Sequence, residues 1–93
     1  MAEINVQATE HGDQYIVEVT VREGRGKTHH TVKVDKTDYE RLAGADVSPE
    51  TLVEESFRFL LEREPKESIL RRFNLTVISR YFPEYEREIK TRL

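Results

Sequence analysis

His11, His29 and His30 come first, because an imidazole can both ligate a metal and change charge near neutral pH. A metal site would need them to converge, with Glu10 or Asp13 completing the set. Neighbours on an extended chain point to opposite faces, so His29 and His30 do not share an ion. The expectation is no metal. His30 falls on the apolar side of an alternating run, near its rim beside Val21, and reads as a partly buried structural histidine. Burial favours its neutral form, which makes it the candidate pH-sensitive residue.

Other catalytic chemistry finds little support. There is no cysteine, so thiol nucleophiles, disulfides and Cys-based zinc sites are excluded. No serine sits in a G-x-S-x-G elbow, and no glycine-rich phosphate loop precedes a helix. Gly24-Arg25-Gly26 is a hairpin turn by context. The carboxylates fall on exposed helix faces. The chain therefore reads as a non-enzyme without a cofactor.

Two groupings in the last third could make contacts with a partner. Tyr81, Phe82, Pro83 and Tyr85 form an aromatic cluster of the kind enriched at interfaces, with ordinary core as the plain alternative. Arg71, Arg72, Arg80, Arg87, Lys90 and Arg92 could meet phosphates. Residues 69–82 have the outline of a helix-turn-helix. The turn is too short for one, its glycine is missing, and the second helix is mostly apolar. The net charge of −3 also argues against a compact DNA-binding domain. That charge is uneven. Residues 1–62 carry 7 Lys+Arg against 13 Asp+Glu, and residues 63–93 carry 8 against 5, so the front stands at −6 and the tail at +3. Such a division suits docking of like protomers or an acidic partner.

These groups need a scaffold, and the sequence specifies one. Ile4, Val6 and Ala8 alternate with polar residues, as do Tyr15, Val17, Val19 and Val21, and then His30, Val32 and Val34. Glycine-bearing turns separate the runs. A two-residue loop at Gly12-Asp13 sets Ala8, Val6 and Ile4 opposite Val17, Val19 and Val21. A loop at Arg25-Gly26 sets Val19 opposite Val32 and Val17 opposite Val34, with Glu18 facing Lys33 and Thr20 facing Thr31 outside. Centring that turn on Gly24-Arg25 keeps the inner face but forfeits those outer pairs. The expected register is the first. The first and third strands would be the edges, and edges invite pairing.

Helices follow. Thr37-Asp38-Tyr39-Glu40 spells a capping box for a short helix through Leu42, stopped by Gly44. Ala45, Asp46 and Val47 link it to the run at 48–63. There Ser48, Pro49 and Glu50 are three start signals. Leu52, Val53, Phe57, Phe59, Leu60 and Leu61 cover an arc of roughly 200°, wider than a surface helix needs. Glu54 and Arg58 stand at the supporting i,i+4 spacing. This helix should be buried on two sides, by the sheet and by the C-terminal third. After Pro65, Ser68 caps a helical turn over 69–73. Asn74 or Thr76 starts another, and Pro83 opens a last helix over 84–91 with a Tyr85, Ile89, Leu93 stripe.

The predicted fold is α+β: a three-stranded antiparallel β-meander (1–35) followed by segregated helices packed on one face (37–93), in a single domain over 1–93. No apolar run approaches bilayer length, and the first residues lack a signal-peptide core. A cytoplasmic protein without membrane contact is expected.

His29 to Val34 (HHTVKV), Tyr39-Glu-Arg-Leu42, Ser48-Pro-Glu, FLLEREP at 59–65, ILRRF at 69–73 and RYFPEYE at 80–86 resemble a group of short prokaryotic α+β proteins of unknown function. The resemblance implies a fold and no functional residues. In layout alone the chain is similar to HicB-type antitoxins, where a small sheet with helices binds a toxin. The expected function is a small non-catalytic interaction or regulatory module, with a protein partner or a second copy of itself. Nucleic-acid binding through the basic C-terminal third is the alternative.

Overall fold

In the computed structural model, which describes residues 2–44 and 46–93, the three alternating runs form β1 (Glu3–His11), β2 (Gln14–Glu23) and β3 (Gly26–Asp35). Ala45, placed above in a linker, lies outside the described residues. The first hairpin has the expected register, with Ala8, Val6 and Ile4 opposite Val17, Val19 and Val21. The second differs. Its loop is Gly24-Arg25, and Val19 faces His30 while Val17 faces Val32. Turn chemistry decides this. The first loop residue of such a hairpin needs a positive φ, and Gly24 supplies +62°. A loop at Arg25-Gly26 would impose that angle on an arginine. The outer face also gains its own pairs. Thr31 Oγ1 donates to Glu18 Oε1 at 2.7 Å, and His29 sits 3.1 Å from both Thr20 Oγ1 and Glu18 Oε1.

The sheet has a fourth strand, β4 (Arg72–Asn74), parallel to β3, so it is four-stranded and mixed, in the order β1-β2-β3-β4. The predicted three-stranded antiparallel meander is corrected on this point, and so is the helical turn over 69–73. The open side of β3 draws the chain in: Thr31 N–H donates to the Arg71 carbonyl at 2.7 Å, and Leu75 N–H to the Lys33 carbonyl at 2.9 Å. The sheet edges are therefore β1 and β4. Unpaired main-chain groups beside a buried face outweigh the weak helix preference of so short a segment.

The helices are α1 (Lys36–Ala43), α2 (Pro49–Leu61), α3 (Val77–Tyr81) and α4 (Tyr85–Arg92), with a 3-10 turn at Lys66–Ser68. The capping box at Thr37 does not form. β3 runs directly into α1, Asp35 precedes the first turn, and its carboxylate instead accepts from Gln14 Nε2 at 2.7 Å. Lys36 N–H is taken by the Asp13 carbonyl at 2.9 Å. In α2, Ser48 Oγ accepts from Thr51 N–H at 3.1 Å, and Pro49 occupies the first turn. Glu54 and Arg58 pair at 2.9 Å.

The wide apolar arc of α2 is buried on two sides. Leu52, Val53, Phe57 and Phe59 are fully enclosed. Phe57 packs against His30 of the sheet, with centroids 5.2 Å apart, and against Phe73 of β4 at 6.1 Å. Phe59 turns the other way, to Tyr85 of α4 at 5.3 Å and Phe82 at 5.9 Å. Arg63 closes this side. Its guanidinium lies 3.6 Å from the Phe59 ring centre and reaches Glu84 at 3.1 Å and Glu88 at 2.7 Å. No helix among the described residues is long and apolar enough to cross a membrane.

One polar contact locks α2 to α4 inside the core. Ser56 Oγ donates to the Leu52 carbonyl at 2.7 Å, so the Tyr85 hydroxyl, 2.6 Å away, donates to Ser56 Oγ. Burial pushes the Tyr85 phenol far up from its ordinary pKa. The two ends of this bond are unequal. Tyr85→Phe leaves Ser56 satisfied and should cost about 1 kcal/mol, whereas Ser56→Ala strands a buried hydroxyl and should cost about 1–3 kcal/mol. Urea titration of both variants and of the double variant checks this. The double variant should recover part of the Ser56→Ala loss.

Candidate interaction groove

The chain from the 3-10 turn to Phe82 folds back over the end of α2 without filling the space it crosses. Ile69 turns inward and is buried, while the next residue, Leu70, points out and is 48% exposed. After β4, Asn74 Oδ1 accepts from Thr76 N–H at 3.1 Å and Thr76 Oγ1 at 2.9 Å, reversing the chain into α3. Between these segments lies a groove of about 510 Å³, lined in part by Leu60, Leu70, Phe73, Val77, Tyr81 and Phe82. Tyr81 is 67% exposed. Glu64 also lines it, and burial raises the pKa of that carboxyl above the usual carboxylate range.

One wall of the groove is held by His30. The residue is not at the rim beside Val21, as the other register would place it, but opposite Val19 and 1% exposed. Its Nδ1 lies 2.8 Å from the Leu70 carbonyl, which can only accept, so Nδ1 carries the proton. Nε2 then accepts from Thr28 Oγ1 at 2.8 Å. A histidine on β3 thus fixes the main chain of Leu70. Burial is the largest cause holding its pKa below the ordinary histidine value; the Leu70 bond opposes this, and the nearby charges of Arg71 and His29 lower it further.

The sign of the pH effect follows. The unfolded chain binds a proton at His30 more readily than the folded one, so stability is highest above pH 6.5 and falls with acidification towards the lower folded pKa. The urea midpoint should drop in the interval directly below pH 6.5, and the His30→Gln variant should lose much of that slope. A midpoint that stays level across this interval contradicts the assignment.

The remaining candidates are dispersed. Among the described residues no cluster of His, Asp and Glu converges as a metal site. Phe82 and Tyr81 line the groove, and Pro83 is exposed beyond it. Tyr85 is fully buried and belongs to the core rather than to a surface. Arg71, Arg72, Arg80, Arg87 and Lys90 are all exposed, and among the described residues none makes an ion pair, whereas Arg41, Arg58, Arg63 and Arg92 all do. Arg71 and Arg72 follow Leu70, and Arg80 precedes Tyr81. Sequence reasoning missed Leu70, Phe73 and Val77 as groove residues. No local signal marks them, because the directions of Ile69 and Leu70 follow from the pairing of the segment with β3.

Comparison with protein-family models, with curated protein sequences and with solved structures finds no match to this chain.

Proposed function

We propose that this protein is a small non-catalytic interaction module that takes a partner protein's segment into the groove between the 69–75 stretch and α3. One observation carries the reading. The two large apolar side chains left most exposed among the described residues, Leu70 and Tyr81, line the same groove. Scattered exposed leucines need no explanation, but two converging on one concavity do. The occupant is a short segment with apolar anchors and carboxylates. Its apolar side chains meet Leu70, Val77 and Tyr81, and its carboxylates meet the unpaired guanidiniums of Arg71 and Arg80. A toxin bound by a HicB-type antitoxin is one partner this layout suits by analogy.

Panning a library of short peptides on the immobilised protein tests this. Enriched peptides should combine bulky apolar residues with Asp or Glu, and they should not bind a Leu70→Asp variant. Enrichment of nothing, or of peptides that bind Leu70→Asp equally well, removes the reading.

A second reading rests on a different observation, the five exposed cations without carboxylate partners. They would contact a nucleic-acid backbone, and binding would then weaken steeply with salt. Titration of labelled duplex DNA and single-stranded RNA at low and moderate salt decides it. Absence of binding at low salt, or binding without a salt slope, eliminates nucleic acid.

A further inference from the structure

The two edges of the sheet are treated differently. On the far side, β4 covers Thr31 and Lys33 of β3. Beyond it, the Lys66 ammonium lies 2.9 Å from where a Cβ on Gly26 would sit, and Lys27 and Lys33 add charge. β1 is less protected, with its acidic side chains, Glu3 and Glu10, only towards its ends. It pairs with β2 through nine consecutive residues without a bulge, and it contains neither proline nor lysine. Natural sheets guard long flat edges with such devices.

The direction of the free groups follows from the hairpin. A two-residue loop makes His11 and Gln14 a hydrogen-bonded pair, and the pairs alternate from there. Thr9, Gln7, Asn5 and Glu3 therefore bond to β2. Ile4, Val6, Ala8 and Glu10 direct their N–H and C=O groups outward. The same alternation directs Thr31 and Lys33 of β3 towards β4, where their bonds to Arg71 and Leu75 are found. On the inner face Val6 and Ala8 remain half-buried, so the edge leaves apolar surface uncovered as well.

We propose that two copies of this chain join through β1, antiparallel and about a two-fold axis at Val6, to make one continuous eight-stranded sheet. The β1 sequence is self-complementary in this register. Val6 faces Val6 of the second copy and Ile4 faces Ala8 on the inner side. Asn5 faces Gln7 and Glu3 faces Thr9 on the outer side. No like charges oppose, and every outward main-chain group from Ile4 to Ala8 finds a partner. A one-residue shift would put apolar residues opposite polar ones. Moving the axis to Gln7 sets Ile4 against Glu10, and moving it to Asn5 shortens the self-paired stretch of β1 from Glu3–Thr9 to Glu3–Gln7. An isologous contact of this kind closes at the dimer and leaves β4 as the outer edge on both sides.

Sedimentation velocity on the full chain tests the register. The wild type should sediment at twice the chain mass at high concentration. Asn5→Lys with Gln7→Lys sets ammonium against ammonium at both outer pairs and should yield monomer. Asn5→Glu with Gln7→Lys sets opposite charges together and should remain a dimer. Both positions are exposed, and the two variants share Gln7→Lys, so a folded dimer of the second serves as control for the first. A monomeric wild type overturns the proposal. So does a dimer that persists in the Lys/Lys variant, which would locate the contact elsewhere, or loss of the dimer in both variants, which would reject this register. Leu70→Asp should leave the dimer unchanged.

Discussion

Phe57→Ala is expected to destabilise the protein by about 3–5 kcal/mol, the range for truncating a fully enclosed phenylalanine. The ring has no exposure and bridges His30 of β3 to Phe73 of β4. Removing it opens a cavity between α2 and the sheet, where the strands are hydrogen-bonded and cannot collapse inward. A domain of this size has a total stability of about 5–15 kcal/mol, so the variant should unfold at much lower urea. Phe59→Ala should show a comparable loss from the opposite side of the same helix, against Tyr85, Phe82 and the Arg63 guanidinium. Thr51→Ala, on an exposed position of α2, should stay within about 1 kcal/mol, since only the side-chain contact with Ser48 is lost. Losses below about 1 kcal/mol in both phenylalanine variants would mean that α2 is not covered on two sides.

Tyr81→Ala is expected to weaken peptide binding about thirty-fold, equivalent to about 2 kcal/mol, while leaving the urea midpoint nearly unchanged. The separation of the two readouts is the point of the variant. Tyr81 is 67% exposed, so its ring contributes little to the fold, yet it lines the groove. Arg80→Ala should cost less, and its effect should shrink with added salt, because an exposed guanidinium acts through screened charge. Isothermal titration with a selected peptide measures both. Equal affinities for wild type and Tyr81→Ala would remove the groove from the account.

Much of the scaffold could be read from the residues alone. The first hairpin follows from strict alternation and one glycine, and α2 follows from three start signals and an unusually wide apolar arc. The second hairpin was harder, because two registers preserve the inner face. The choice depended on whether turn chemistry or outer-face pairs prevail, and Gly24 settles it in favour of the turn. The Thr37 motif matched a capping box in spelling, but Asp13 of the first turn and Gln14 of β2 had already taken the chain entering α1. β4 is three residues long, too short for a period of two to declare itself. The groove was hidden for the same reason. Whether Leu70 faces in or out is set by a bond to His30 forty residues earlier, and no local pattern carries that.

Methyl and amide NMR of the wild type, titrated with an acidic, apolar peptide recovered by panning, locates the bound segment on the surface. Shifts are expected at Leu70, Phe73, Val77 and Tyr81, with a smaller response at Arg71 and Arg80. Silence is expected along β1 and on the far end of α4 at Arg87 and Lys90. Shifts confined to β1 or to α4, with the groove residues unmoved, would contradict binding in the groove.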